Sequence, residues 1–167
     1  MPRIPRAIVD EMAAHARDDL PNEACGMVHA KRAGAGLARL WVRRNVLLDR
    51  TPVLDPPAQL TVHRVRNAAA SPYRYEMHPP QMMRLERARD RNRETLFAIY
   101  HSHVASPAHP SPTDVRMAFF PPGEVEQEPA YPETMYILVS LASEPPDVRA
   151  FWIRRGGEIV EEPIEIT

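Results

Sequence analysis

A single cysteine, Cys25, occurs in the 167 residues, which excludes an internal disulfide framework and leaves folding to an ordinary apolar core. Neither a signal-peptide pattern nor a long apolar span is present, so a soluble, cytoplasmic protein is expected. Net charge is lacking too. Lys and Arg number 21 against 22 for Asp and Glu, a formal net charge of −1, and this gives no electrostatic footprint for nucleic acid or a membrane surface. Lysine is confined to Lys31, a bias we attribute to genome composition, and most of the arginines read as a solvated face. No internal repeat or low-complexity stretch occurs.

What is present suffices for one domain: 44% of the 167 residues are hydrophobic, enough for a proper core. The 19 prolines, about twice the usual share, fall mostly between predicted elements. Apolar residues at Ile4, Ile8, Met12, Ala16 and Leu20 recur at helical spacing and predict a helix over about 4–20, ended by Pro21 and Asn22. Strands are expected at 24–30 and 37–46, with a turn at Gly34 and Gly36. A Pro-containing loop, a possible insertion, follows at about 48–58, and then a strand-like 73–77.

Pro79 and Pro80 open a second helix through about 93, with Met82, Met83 and Leu85 on or near its inner face. An acidic, Pro-rich loop is expected at 121–132. Strands over 134–141, 148–154 and 158–166 close the chain, the last two joined by a hairpin at Gly156 and Gly157. Alternating helices and strands of this kind indicate an α/β fold with a curved, mixed β-sheet flanked by helices.

The chemistry concentrates at 101–114, HSHVASPAHPSPTD. The apolar residues 96–100 before it read as a buried strand, along which side chains alternate, so His101 and His103 face one way and Ser102 the other. Two imidazoles on one face can share a metal. A catalytic zinc takes three protein ligands, and Asp114, returned by seven loop residues and a helix start, is the natural third. Ser111, Pro112 and Asp114 are equally a good helix start, with Ser as cap and Asp three residues on, so capping and metal binding both remain open from these residues alone.

An acid far upstream, Glu23 in PNEACG, joins this spacing, and together Glu23, His101, His103, Ser111 and Asp114 match the pattern E…H-[ST]-H-x7-S-x-x-D. On these residues the chain resembles the JAMM, or MPN-plus, family of zinc metallopeptidases. The segments NAAASPYRYEM (67–77), IYHSH (99–103), PSPTDV (110–115) and YILVSL (136–141) resemble the bacterial branch that releases cysteine from a ubiquitin-like sulfur carrier.

The resemblance implies a single MPN/JAMM domain of cytidine-deaminase-like fold over 1–167. It implies that His101, His103 and Asp114 bind zinc, that Glu23 holds the attacking water as general base and then acid, and that Ser111 donates to the developing oxyanion. It also implies a substrate, a ubiquitin-like sulfur-carrier protein ending in Gly-Gly. The alternatives are an isopeptidase acting on lysine conjugates, or a non-catalytic scaffold. Scaffolds of this type usually lose ligands or the acid, whereas this chain keeps all five positions. Cys25, beside Gly26 in an apolar run, reads as a small buried residue and His109 as a loop histidine near the site.

Overall fold

The apolar run ahead of His101 becomes the middle of a sheet. In the computed structural model, which describes residues 1–31 and 59–167, the strand β4 (Thr95–His103) is buried at every residue after Thr95. Such continuous burial needs cover on both faces. Its neighbours are β2 (Cys25–Lys31), antiparallel, and β5 (Met135–Ser140), parallel. With β3 (Gln59–Val65), β6 (Asp147–Arg154) and β7 (Glu158–Glu162) they form, among the described residues, a mixed six-stranded sheet of order β3-β2-β4-β5-β6-β7. Short strands β1 (Arg3–Ile4) and β8 (Glu165–Ile166) pair in parallel beside it.

One face packs on α1 (Arg6–Asp18), where Val9, Met12, Ala13 and Ala16 meet Val28, Ala98, Tyr100, Ile137 and Val139. The other carries α2 (Pro79–Asn92) and α3 (Pro112–Met117) over Met27, Leu96, Ile99 and Tyr136. Both helices begin with Pro at their first positions. That residue has no N–H to leave unpaired there.

The expected α/β fold with its flanked mixed sheet is therefore present, with local differences. The first helix starts at Arg6, because Pro5 disfavours helical dihedrals at Ile4 and leaves it in β1. Residues 73–77 make no strand, only an isolated bridge between Met77 and Asn67. Strand β3 was not anticipated, although Leu60 and Val65 turn inward. Met83 is 55% exposed, one position off the inward stripe of Met82 and Leu85. Pro163 interrupts the expected last strand, separating β7 from β8.

The β6–β7 turn does run through Gly156 and Gly157, both at positive φ, as expected of glycines in a tight turn. Residues 121–132 are irregular, as expected, and are tied down by bonds from Gly156 N to Val125 O (2.7 Å) and from Ala130 N to Ala118 O (2.9 Å). The expected strand at 37–46, its Gly34/Gly36 turn and the loop at 48–58 lie outside the described residues.

Behind β4, one aromatic ring crosses the sheet to reach α1. Tyr100 stands opposite Gly26, and a Cβ there would clash with His63 O and with the Tyr100 ring. The missing side chain lets the Tyr100 hydroxyl reach His15 Nδ1 at 2.7 Å. Since His63 O is backbone and cannot yield, Gly26→Ala is expected to cost about 3 kcal/mol or more, read as a lower urea midpoint.

His15 Nδ1 hydrogen-bonds with the Tyr100 hydroxyl, and its Nε2 lies 3.4 Å from Asp19 Oδ2. Burial lowers its pKa, against the pull of Asp19. A histidine depressed in the folded state stabilises fully above its unfolded value of about 6.5. That contribution is lost as pH falls through the folded value. The melting temperature is expected to drop between pH 7.5 and 5, and to drop less in His15→Gln.

Candidate metal centre

Strand alternation carries His101 and His103 to the same face at the end of β4, with ring centroids 5.2 Å apart, and both are buried. Ser102 points the other way and its hydroxyl accepts the Ala24 amide at 2.8 Å, which moors the residue after Glu23 to the strand. Asp114 arrives from α3. Its carboxylate accepts the Ser111 amide at 2.7 Å while Ser111 Oγ accepts the Asp114 amide at 3.2 Å, a reciprocal capping box. The two readings open at the sequence level are thus compatible. The cap orients Asp114, and because Ser111 uses only a lone pair in it, its O–H remains free to donate.

Asp114 Oδ2 lies 3.3 Å from Nε2 of both His101 and His103. His103 Nδ1 faces Pro107 O at 2.8 Å, a contact that only an N–H can make. Despite its burial, Asp114 and the Pro107 carbonyl raise the His103 pKa, so without a metal the ring holds a proton on Nε2 directed at Asp114 Oδ2. His101, 1% exposed, has no partner on Nδ1 among the described residues, and its Nε2 meets only Asp114 Oδ2, without hydrogen-bond alignment. A divalent cation held by both Nε2 atoms and the carboxylate would take the place of that proton and give His101 a partner.

The donor set fits zinc. Ligands about 2.0–2.1 Å from a tetrahedral zinc stand roughly 3.3–3.4 Å apart, and the observed spacing is 3.3 Å. The ligand atoms of all three residues lie within 4.8 Å of one another. His103 is oriented by a backbone carbonyl on its other nitrogen, a common arrangement for a ligating imidazole.

Electrostatics agree with this division of labour. Burial alone would raise the Asp114 carboxyl, but the adjoining His101 and His103 imidazoles and the Ser111 contact outweigh it and hold it well below the usual carboxylate range. Burial lowers His101. Glu23 is 4% exposed, and burial pushes its carboxyl up to about 7 against the pull of His103. An acid near neutrality can take and return a proton. Burial, with the carboxylates of Asp19 and Glu23, pushes the Cys25 thiol up to about 12, and Sγ donates to Val65 O. Cys25 is no nucleophile at neutral pH. His109 is exposed and rests edge-on against Phe151.

Two contributors were not singled out individually from the sequence, though both lie in the 67–77 segment. Tyr75 stacks on His101, centroids 4.3 Å apart and planes 23° from parallel. Buried Asn67 has every hydrogen-bonding valence filled. Nδ2 donates to Glu23 O (2.9 Å) and Arg74 O (3.1 Å), and Oδ1 accepts from Ala69 N and Glu76 N (3.0 Å each). Glu23 N in turn donates to Ser71 O at 2.9 Å. One amide thus pins the acid's backbone and shapes the loop that carries Tyr75.

Residues 5–154 match the prokaryotic homologs of the JAB domain. The chain belongs to that family. Among curated JAB-type relatives it is 29% identical over 160 residues to the CysO-cysteine peptidase of Mycobacterium tuberculosis, covering 95% of this chain and 86% of that one. It is also 29% identical over 116 residues to a probable TtuB-protein conjugate cleaving protease of Thermus thermophilus, covering 69% and 62%. The solution structure of protein DSY2949 from Desulfitobacterium hafniense is similar at a TM-score of 0.70 and 28% identity, over 100% of this chain and 93% of that one. Family and relatives support a JAB-type hydrolase.

Asn67→Ala leaves the groups it serves without partners and is expected to cost roughly 2–4 kcal/mol. Urea unfolding measures that loss. Metal titration of the still-folded variant should show weaker binding, since Tyr75 no longer braces His101.

Proposed function

We propose that this chain is a zinc-dependent hydrolase that cleaves after the C-terminal Gly-Gly of a ubiquitin-like sulfur-carrier protein and releases cysteine. The observation that carries the reading is the convergence of Nε2 of His101 and Nε2 of His103 on Oδ2 of Asp114, each at 3.3 Å, beside the buried acid Glu23. The substrate rests on the CysO-cysteine peptidase that the chain resembles along 95% of its length.

His101, His103 and Asp114 would hold the zinc ion, which when bound supplies Lewis acidity and brings the pKa of water to about 7. Glu23 takes the proton of the attacking water and delivers it to the departing amine. Ser111 gives its free O–H to the oxyanion developing on the glycine carbonyl. Pro107 O and Tyr75 keep the two imidazoles in place. Water adds across the Gly–Cys peptide bond, the C–N bond breaks, the carrier keeps a glycine carboxylate and cysteine leaves with its amine. Residues 23–26, residues 71–75, with Tyr73 85% exposed, and the 121–132 loop would wall the groove for the extended tail.

A cytoplasmic location suits this role, and among the described residues no helix is long and apolar enough to cross a membrane. The second reading, removal of ubiquitin-like proteins from lysine conjugates, is favoured by the resemblance to the TtuB-conjugate protease. It uses the same residues. A scaffold role is disfavoured because none of the five motif positions is lost.

Intact mass spectrometry of a Gly-Gly-ending carrier bearing a C-terminal cysteine tests the reading. The wild type should remove one cysteine residue, and the near-isosteric Glu23→Gln should remove none while keeping its zinc. An unchanged carrier with zinc-loaded wild type overturns the cysteine reading and turns the assay to lysine conjugates. Full activity in Glu23→Gln overturns the role of the acid.

A further inference from the structure

Three more ligand-type side chains converge elsewhere on the same face of the sheet. Met27 on β2 stands opposite His63 on β3, and His29 lies two residues beyond Met27, so both imidazoles project to one side. Their ring centroids are 4.4 Å apart. Glu94, in the link between α2 and β4, brings Oε2 to 3.4 Å from His29 Nδ1. The ligand atoms of His29, His63 and Glu94 all lie within 4.8 Å of one another. His29 is four residues along β2 from Cys25, the partner of His101, or about 14 Å at ~3.4 Å per residue. The cluster is separate from the centre at His101.

His29 is 1% exposed, yet among the described residues its Nε2 has no hydrogen-bond partner, its Nδ1 meets only Glu94 Oε2 at 3.4 Å without hydrogen-bond alignment, and His63 Nε2 has no partner either. A sheet that buries an imidazole this way normally satisfies it. Protonation is no remedy: burial first, then the neighbouring His63 and Arg89, hold His29 below its ordinary value despite Glu94, and burial lowers His63 as well. The neutral imidazole is the ligating form. Glu94 supplies the opposing charge, and the nearby cation Arg89 is engaged by Glu86 at 2.7 Å.

We propose that His29, His63 and Glu94 form a second divalent-cation site, of the class that takes zinc. Two imidazoles and one carboxylate are a zinc donor set, and the 3.4 Å spacing of Nδ1 and Oε2 matches the roughly 3.3–3.4 Å edge of its coordination tetrahedron. His63 and Glu94 are partly exposed, which leaves an ion a route in. A cation there ties the α2–β4 link to β2 and β3, bracing the far part of the sheet that carries the catalytic residues.

The test strips the full chain with chelator, reloads it with zinc alone, and measures zinc per chain by elemental mass spectrometry alongside the melting temperature. Two ions are expected in the wild type, one in Asp114→Ala, one in Glu94→Gln and none in the double variant. Zinc should raise the melting temperature of Asp114→Ala and leave the double variant unchanged. His63→Asn replaces Glu94→Gln should the latter not fold. The second site is overturned if Asp114→Ala retains no zinc, or if Glu94→Gln and His63→Asn both bind as much as wild type. Because Asp114→Ala reports only the new site and Glu94→Gln only the one at His101, failure of one reading is distinguishable from failure of the other.

Discussion

Asp114 Oδ2 is the atom on which the candidate centre turns. It takes the Ser111 amide at 2.7 Å and stands 3.3 Å from two imidazole nitrogens, so one oxygen belongs at once to a helix cap and to a metal-binding arrangement. The cap supplies what an unaided aspartate lacks, a fixed position without loss of charge. Its carboxylate is then held ionised by the same imidazoles it faces, and a cation shared by the three groups would supply the same opposing charge.

Everything around that atom serves rigidity. β4 is buried on both faces, so the histidines at its end cannot drift. Ser102 uses the opposite side of the strand to anchor Ala24, and Asn67 grips Glu23 from the other direction. The acid therefore reaches the site from a distant part of the chain without a flexible lever. Tyr100, admitted by Gly26, locks the strand to α1 through His15. These are short-range constraints, each a hydrogen bond or a close packing contact, and together they hold the groups in the fixed geometry that an electrostatic catalyst requires.

Legibility in the sequence varied with the range of the interaction. The buried strand before His101, the proline-initiated helices and the Gly156–Gly157 turn are local signals, and they were readable because period, proline and glycine act within a few residues. Residues 73–77 misled because their apolar character serves a loop: Tyr75 packs on an imidazole and its neighbours hang on the Asn67 amide instead of a strand ladder. β3 went unread since its half-exposed alternation is short and follows a proline-rich stretch.

By itself the sequence determined the donor types and their spacing: two histidines one residue apart on a strand, an aspartate at the third position of a capped helix, and an isolated acid upstream. It also set the α/β class, because hydrophobic periodicity is written locally. Only the tertiary structure decided that Ser111 caps and still has a proton to give, that Tyr75 and Asn67 belong to the site, and that His29, His63 and Glu94 meet. Those facts depend on strand register, on which face each side chain takes, and on burial that strips polar groups of water. Such quantities exist only once distant segments are brought together.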